Sequence, residues 1–275
     1  SRRQRQMCIR DSSIDYVKRF NKDFDMSFKG TFTYAHNKVL EYDEPDFQKY
    51  PNISRVGHSV DQQLLYIAER LFIDDSEVQR NPKQNLGGWV SGGDIKYKNL
   101  PDVNGNYDNV IDSNDRQYTG MPTTPEIVYG FGPSLRYKKF DFSFFFQGAA
   151  RVSIMMNGIH PFGADGTRNV LQFIADDYWS DTNQDIYAGY PRLSKRDNEN
   201  NTKASTYWQR NGAFLKLKNL EVGFNHKFFR VYLRGSNLLT FSPFKYWDPE
   251  MGSGSGLSYP TQRVFNVGVQ FSINK

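Results

Sequence analysis

The chain has 275 residues, a formal charge of +5 at pH 7 and a single cysteine, Cys8. No run approaches the roughly 18 consecutive apolar residues of a membrane-spanning helix, Lys and Arg form no dense stripe that would bind nucleic acid, and one cysteine excludes both an internal disulfide and a cysteine-rich zinc site. Aromatic residues nevertheless make up 16% of a chain whose mean hydropathy is -0.69, which is typical of strands with one face on lipid and the other on a wet interior.

Residues 1–12 (SRRQRQMCIRDS) are basic and show no hydrophobic periodicity. They lack the apolar core of a signal peptide and resemble translated adapter sequence. We therefore predict a non-native or disordered leader that contains Cys8, followed by a folded part at residues 13–275. With no signal peptide ahead of it, that part is expected to begin in the middle of a larger protein.

Residues 24–34 alternate between apolar and polar side chains without a break. The apolar face consists of Phe24, Met26, Phe28, Phe32 and Tyr34. Strands of soluble sandwiches are usually about five or six residues long, whereas a tilted membrane strand needs roughly 9–11. The length of this segment favours a membrane strand.

A hairpin with the same alternation is predicted at residues 129–146, where the polar pair Lys138-Lys139 marks a short turn. Further alternating strands are predicted at residues 215–224, around 231–233, and at 265–273 with Ile273 as the last apolar position. Between Leu217 and Leu220 the apolar phase slips by one residue, which predicts a β-bulge.

Long polar stretches rich in Gly, Asn, Asp and Pro separate these strands, at residues 74–124, 157–204 and 242–260. Such loops argue against strands in a soluble domain, but short turns at one rim and long loops at the other are typical of an outer-membrane barrel. We predict about eight or nine strands of an all-β, antiparallel transmembrane barrel.

Eight segments, in order from about Asp15, resemble the C-terminal half of the SusC/RagA family of TonB-dependent outer-membrane transporters. They are residues 33–45, 92–100 (GGDIKYKNL), 110–120, 125–150, 190–194 (YPRLS), 205–224, 235–250 and 259–271. Each segment alone is weak support, whereas eight in sequence at compatible spacing are strong support.

The resemblance implies the C-terminal part of a 22-stranded barrel with a plugged lumen, without the plug, in the outer membrane of a Gram-negative cell. It implies import of an oligosaccharide or a peptide, a SusD-like lipoprotein over the extracellular mouth, contact with outer-membrane lipid, and coupling to the TonB-ExbB-ExbD complex through a part that this sequence lacks. Nucleic acid is not an expected partner.

The acidic stretch at residues 102–115 is the candidate metal site. Its oxygen-bearing side chains include Asp102, Asn104, Asp108, Asp112 and Asp115, and Ca²⁺ takes six to eight oxygen ligands of this kind. Asn109 stands where the related family pattern has a turn glycine, and Asn tolerates a positive φ. The alternative is a loop of Asx turns without metal, so Ca²⁺ is the one cofactor that we consider.

Aromatic residues in the loops are candidates for stacking on sugar rings. The substrate-binding candidates are Trp179, Tyr190, Trp208 and Trp247, although girdle or loop packing is favoured for each. We interpret Arg192 and Asp248 as loop anchors that pair with backbone or with a counter-charge, and not as ligand contacts.

The sequence contains no catalytic constellation. Its four histidines are isolated, no serine lies in a nucleophile-elbow motif, and the glycines at residues 87–93 lack the Lys-Ser/Thr ending of a phosphate loop. We predict that the protein is not an enzyme. The alternative function is a secreted β-sandwich module that binds or degrades carbohydrate, since such a module shares the aromatic and acidic loops.

Overall fold

The computed structural model describes residues 4–163, 165–195 and 198–271. Its strands are β1 (Gln4–Arg19), β2 (Phe24–Glu41), β3 (Gln63–Tyr66), β4 (Ala68–Leu71), β5 (Lys83–Gln84), β6 (Ile95–Tyr97), β7 (Val110–Ile111), β8 (Arg116–Thr119), β9 (Ile127–Tyr137), β10 (Phe140–Ala150), β11 (Ser153–Met155), β12 (Gln209–Asn211), β13 (Phe214–Asn225), β14 (Phe229–Phe241) and β15 (Val264–Phe271). The helices are α1 (Asp75–Arg80), α2 (Gln172–Asp176) and α3 (Glu199–Thr202), with 3-10 turns at Pro51–Ile53 and Pro249–Met251. None of the helices in this part of the chain is long and apolar enough to cross a membrane.

Seven long strands form one antiparallel sheet in the order β1-β2-β9-β10-β13-β14-β15. This arrangement confirms the all-β, antiparallel prediction. Short turns join β1 to β2, β9 to β10 and β13 to β14 at one end of the sheet, and the long segments 42–126, 151–213 and 242–263 leave from the other end. The sheet is open, because the outer edges of β1 and β15 have no partner among the described residues.

The register of the sheet aligns side chains of one kind in rows that cross six neighbouring strands, from β2 to β15. One row is wholly apolar: Met26, Leu135, Phe142, Val222, Leu233 and Val267. The adjacent row is wholly polar: Ser27, Ser134, Ser143, Glu221, Arg234 and Asn266. Since successive residues of a strand point to opposite faces, the two rows give the sheet one apolar face and one polar face.

Ion pairs reinforce the polar face near the end with the short turns. Arg230 on β14 contacts Asp141 on β10 and Glu221 on β13, each at 2.6 Å, and Arg234 contacts the same Glu221 at 2.5 Å. Opposite charges on facing strands stabilise a sheet by about 0.2–1 kcal/mol per pair. The charges therefore fix the register of three strands without entering the apolar face.

Two local predictions about the strands are confirmed. Residues 138 and 139 form the β9–β10 turn, where Lys138 has a φ of 54°. The register of β13 shifts between Leu217 and Asn219 against β14. This bulge keeps Leu217 and Leu220 on the same face, as the slip in apolar phase predicted.

The three long segments pack together into one body, which we call the loop lobe (residues 42–126, 151–213 and 242–263). The main hydrophobic core of the described chain lies here and draws on all three segments. Its buried members include Leu65, Tyr97, Ile111, Ile154, Ile174, Trp179, Tyr190, Trp208 and Phe244. The loop lobe is therefore a folded unit with its own core, set at one end of the two-faced sheet.

The structure differs from the sequence predictions in two respects. Residues 4–12, predicted to belong to a non-native or disordered leader, are ordered in β1 and pair with β2 through backbone hydrogen bonds, which do not depend on side-chain periodicity; a non-native origin stays a prediction. Seven strands, not eight or nine, form the large sheet, and the eight short ones pair in the loop lobe. Ile273 lies outside the described residues.

The β-sandwich alternative disagrees with the observed architecture. A sandwich buries one face of each sheet against a second sheet about 10 Å away. In the described part of the chain, the large sheet has no such partner, and side chains on both of its faces are mostly exposed or half-buried.

Candidate functional site

A buried polar clasp connects two of the motifs in the loop lobe. Asp94, from GGDIKYKNL, has no exposed surface. Its carboxylate forms an ion pair with Arg192, from YPRLS, at 2.8 Å and accepts a hydrogen bond from the side-chain amide of Asn201 at 2.8 Å. A buried carboxylate is stable only with such partners. The interpretation of Arg192 as a loop anchor is confirmed.

Gly93, just before Asp94 in the glycine-rich stretch, is a position that requires glycine. Its φ is +79°, and a Cβ there would lie 2.2 Å from the ring of Trp179. Only glycine combines this backbone conformation with such a close approach. The motif thus allows the indole to pack directly on the chain beside Asp94.

A cleft of about 470 Å³ opens next to this packed indole. The side chains that border it come from the start of α1, the segment at 91–92 and the loop after Trp179. They include Asp74, Asp75, Ser91, Trp179, Asp181 and Gln184. The cleft is a large concave feature of the loop lobe with convergent polar groups, and we take it as the candidate functional site.

Local hydrogen bonds hold two carboxylates of the cleft in place and in the ionised form. Asp75 accepts from the hydroxyl of Ser91 and from the N–H of Gly92, and these bonds lower its pKa. Asp74 caps α1 by accepting from Glu77 N–H at 2.8 Å. The hydroxyl of Ser76 and this N–H lower the pKa of Asp74. Both groups therefore act as hydrogen-bond acceptors at neutral pH.

The predicted calcium loop is folded by hydrogen bonds from its own backbone. Asp102 accepts from the N–H groups of Asn104 and Asn106, both at 2.9 Å. Asp108 and Asp112 accept from the N–H two residues ahead, at 3.0 and 2.8 Å. These are Asx turns. Asn109 has a φ of 58°, as predicted for the residue in the place of the turn glycine.

Asp115 has a structural role at the end of this loop. It is 3% exposed and accepts from the N–H groups of Leu100 and Asp112 at 2.6 and 2.8 Å. Burial raises its pKa in spite of these bonds. Within the described residues no three His, Cys, Asp or Glu side chains are grouped to hold a metal ion, and calcium binding by this loop stays a prediction.

The aromatic substrate candidates contribute to packing in the loop lobe. Trp179, Tyr190 and Trp208 are each less than 8% exposed, and the indole of Trp208 donates to the carbonyl of Asn201 at 2.7 Å. Trp247 packs against Phe244 and donates to the carbonyl of Gly252 at 3.0 Å. The ring faces of the three buried residues are covered by protein, so stacking on a sugar by them stays a prediction.

The loop lobe exposes several aromatic rings, and sequence reasoning missed Trp89 among them. Trp89, Tyr187 and Tyr259 expose 77%, 75% and 79% of their surface. Trp89 lies in the stretch GGWVSGG, where glycines flank it on both sides. A large aromatic residue between glycines has few neighbours to pack against, and this pattern could have indicated an exposed ring.

Two buried charged residues, Lys216 and Glu126, connect the loop lobe to the sheet. Lys216 on β13 is 1% exposed and lies 2.5 Å from Asp248 and 2.6 Å from Glu250, which confirms Asp248 as a loop anchor. Glu126, just before β9, is 4% exposed and contacts both His36 and Arg151. Since removing one partner of a buried ion pair costs about 3–5 kcal/mol, these contacts hold the lobe at a fixed position on the strand ends.

Comparison with known proteins identifies relatives among TonB-dependent receptors. No family model matches the chain. It is 27% identical to TonB-dependent receptor P3 and 29% identical to TonB-dependent receptor P26, both of Formosa agariphila, and 23% identical to TonB-dependent receptor SusC of Bacteroides thetaiotaomicron. The alignments cover 90%, 85% and 94% of this chain but 27%, 26% and 25% of the relatives. The chain thus spans about a quarter of their length.

Solved structures with the same fold agree with these relatives. The RagAB peptide importer in its open-open state matches 98% of this chain and 29% of its own, with a TM-score of 0.69 and 18% identity. The RagAB peptide transporter matches 97% of this chain and 29% of its own, with a TM-score of 0.68 and 18% identity. Over about nine-tenths of its length the chain is SusC/RagA-like, and its relatives are receptors or transporters and not enzymes.

Proposed function

We propose that this SusC/RagA-like chain forms part of the wall and the extracellular loops of a TonB-dependent nutrient transporter in the outer membrane. The observation that carries the proposal is the two-faced sheet, whose apolar and polar rows each continue across six strands. A transmembrane barrel requires an apolar face toward lipid and a polar face toward the lumen. The sheet is the wall, and the loop lobe extends from its extracellular end.

The parent transporter takes up an oligosaccharide or a peptide together with a SusD-like lipoprotein. The TonB-ExbB-ExbD complex drives it through a part of the parent outside the described residues. The resemblance to the SusC/RagA family implies either cargo, and RagAB, which shares the fold, is a peptide importer. Both cargo classes therefore belong to the proposal.

The loop lobe provides a rigid platform for cargo and for the lipoprotein. Its core, the Asp94–Arg192 clasp and the buried ion pair of Lys216 fix its shape relative to the sheet. Exposed Trp89 and Tyr187 supply the aromatic surface that protein interfaces favour. Affinity in this proposal comes from the loop lobe and not from the wall.

The test uses the full-length transporter in its host. We expect it to fractionate with the outer membrane, to require detergent for extraction, to co-purify with a surface lipoprotein, and to support uptake of its cargo only in cells with an intact TonB. A protein that stays soluble without detergent would contradict the wall assignment. Uptake that is unchanged after loss of TonB would contradict the energy coupling.

A further inference from the structure

The three short turns of the large sheet are joined to one another along one edge. We call them the lysine rim, which comprises residues 20–23, 138–139 and 226–228. The backbone N–H of Lys138 donates to the carbonyl of Asp23 at 2.6 Å, and the N–H of Asn225, the last residue of β13, donates to the carbonyl of Lys139 at 2.6 Å. Each turn is thus tied to the next, and their side chains share one edge of the sheet.

The lysine rim carries a positive charge that the described chain does not neutralise. Its exposed cations are Lys22, Lys138, Lys139 and Lys227. Within the described residues, none of these ammonium groups forms an ion pair or a hydrogen bond. The acidic residue of the three turns is Asp23, while Asp25 and Asp141 on the adjoining strands are paired with arginines. Four lysines therefore face one unpaired carboxylate.

A row of aromatic rings lies beside the lysine rim. The register aligns Phe24 with Tyr137, Tyr137 with Phe140, and Phe140 with Phe224, one on each of four neighbouring strands. Each of these residues lies two positions from a member of the apolar row, so the rings belong to the face that our proposal assigns to lipid. Tyr137 and Phe140 expose 54% and 57% of their surface. Aromatic rows of this kind stand at the membrane–water interface of a barrel.

Two lysines of the rim lie over aromatic rings. Nζ of Lys138 is 5.5 Å from the centre of the Tyr137 ring, and Nζ of Lys227 is 5.3 Å from that of Phe228. A lysine that lies along an apolar surface holds its ammonium group at the level of the lipid headgroups, where it binds phosphate as a point charge. A soluble acidic partner would match the charge but leave the ring row uncovered. A lipid with an anionic headgroup matches both.

We propose that the lysine rim binds anionic phospholipid in the leaflet that surrounds the short-turn end of the barrel. The inference rests on the proposed function, which places the apolar face in lipid. Short turns of outer-membrane barrels lie on the periplasmic side, so the occupant is a phospholipid of the periplasmic leaflet. A zwitterionic headgroup brings an ammonium group of its own, which lysine repels, and the rim therefore prefers a headgroup with net negative charge.

The test measures which lipid gathers around the full-length transporter in phosphatidylcholine bilayers. Spin-labelled phosphatidylglycerol or spin-labelled phosphatidylcholine is added in trace amounts, and electron paramagnetic resonance gives the fraction of each label that the protein immobilises. The rim variant carries Lys22→Gln, Lys138→Gln, Lys139→Gln and Lys227→Gln. A second variant replaces the same four residues with arginine.

The matched control removes four exposed lysines of the loop lobe, none of which forms an ion pair within the described residues. It carries Lys49→Gln, Lys83→Gln, Lys98→Gln and Lys245→Gln. The control changes the net charge by the same amount as the rim variant. Gel mobility with and without heating shows that each variant has folded, and Lys22→Gln with Lys227→Gln replaces the fourfold rim variant if that one does not fold.

The wild type and the control are expected to associate with the labelled phosphatidylglycerol about fivefold more strongly than with the labelled phosphatidylcholine. The arginine variant should keep this preference, because arginine also binds phosphate. The rim variant should lose it. The same preference in the rim variant as in the wild type, or an equal loss in the control, overturns the lipid site. Hexaglutamate that binds the wild type but not the rim variant, with no difference in lipid preference, assigns the rim to an acidic protein instead.

Failure of this inference is distinguishable from failure of the proposed function. A rim variant that inserts into the outer membrane, supports TonB-dependent uptake and keeps the lipid preference of the wild type overturns the lipid site alone. A full-length protein that stays soluble without detergent overturns the assignment of the sheet to the membrane wall, on which the lipid site depends.

Discussion

At the scale of single residues, the loop lobe depends on buried charges that are paired with opposite charges. Asp94 is matched by Arg192 and Asn201, and Lys216 by Asp248 and Glu250. Glu77 on α1 likewise has several partners, because it accepts from Arg70, Lys96 and the N–H of Ile73. Such groups favour one arrangement of the loops, since any other leaves a charge unpaired.

Glu77 is expected to make the stability of the loop lobe depend on pH. Burial opposes its ionised form, but the hydrogen bonds from Arg70, Ile73 and Lys96 outweigh burial and lower its pKa from 4.5 to about 2. Because the pKa is lower in the folded state, the stabilisation is complete above pH 4.5 and is lost as the pH falls from 4.5 toward 2. Protease resistance of the lobe in the full-length protein should fall in this window.

Glu77→Gln should reduce that pH dependence and lower resistance at neutral pH. Glu69→Gln is the matched control, since Glu69 contacts the same Lys96 at 3.7 Å but is 41% exposed. The control should show the same dependence of protease resistance on pH as the wild type. If protease resistance depends on pH in Glu77→Gln as it does in the wild type, the acid sensitivity belongs to another group.

At the scale of elements, turns and bulges decide which side chains face which side of the sheet. Because the side-chain period of a strand is two, one extra residue reverses every later position. The bulge around Lys218 absorbs such a residue and returns Leu215 and Leu217 to the face that carries Leu220 and Val222. The turn at Lys138-Lys139 closes the β9–β10 hairpin with the two strands in register.

Lys138→Gly is expected to stabilise this hairpin. Lys138 has a φ of 54°, a left-handed conformation that costs a residue with a Cβ about 1–2 kcal/mol. Lys138→Gly relieves that cost, which exceeds the roughly 0.5–1 kcal/mol that glycine loses in chain entropy. The free energy of unfolding of the full-length protein, measured with denaturant in detergent, should rise slightly.

Lys139→Gly is the control for the turn, because Lys139 has no positive φ. This variant should incur the entropy cost without relief of strain and lose about 0.5–1 kcal/mol. Equal effects of the two substitutions would show that the left-handed conformation carries no cost at this turn.

At the scale of the whole molecule, the sheet has one apolar face and one polar face, and the packed loop lobe lies at one of its ends. The apolar face repeats phenylalanine along β10, where Phe142, Phe144 and Phe146 stack edge to face with centroids 5.7–5.8 Å apart. The neighbouring residues Ser143 and Gln147 belong to the polar face, with Ser143 opposite Glu221. The hydrophobic core proper lies in the loop lobe, and our proposal assigns the apolar face of the sheet to lipid.

Phe144→Arg is therefore expected to oppose membrane insertion, whereas Ser143→Arg, at the adjacent position, is expected to be tolerated. Phe144 lies near the middle of β10, where an arginine toward lipid costs about 2–4 kcal/mol. Ser143→Arg places the same charge on the polar face beside Glu221. The amount of folded full-length protein in the outer membrane, read by gel mobility with and without heating, should drop for Phe144→Arg alone.

A comparable loss in both variants would mean that the two faces of β10 meet the same environment. That outcome would contradict the assignment of the apolar face to lipid.

The sequence by itself determined six of the seven strands of the large sheet, from β2 to β15, together with their faces, the β9–β10 turn and the bulge in β13. These features depend on side-chain alternation between near neighbours, and alternation can be read along the chain. The positive φ of Asn109 and the anchor roles of Arg192 and Asp248 followed from residue type and motif. The family resemblance of the eight segments was likewise a property of the sequence alone.

Only the tertiary structure decided what the long loops do. Asp94 and Arg192 are 98 residues apart in sequence, and the cleft joins residues of α1 to residues after Trp179. No local pattern predicts such contacts, because they arise when three separate segments bury one core. For the same reason the sequence could not tell that Trp179 and Trp208 are buried, since burial depends on what the rest of the chain places around each ring.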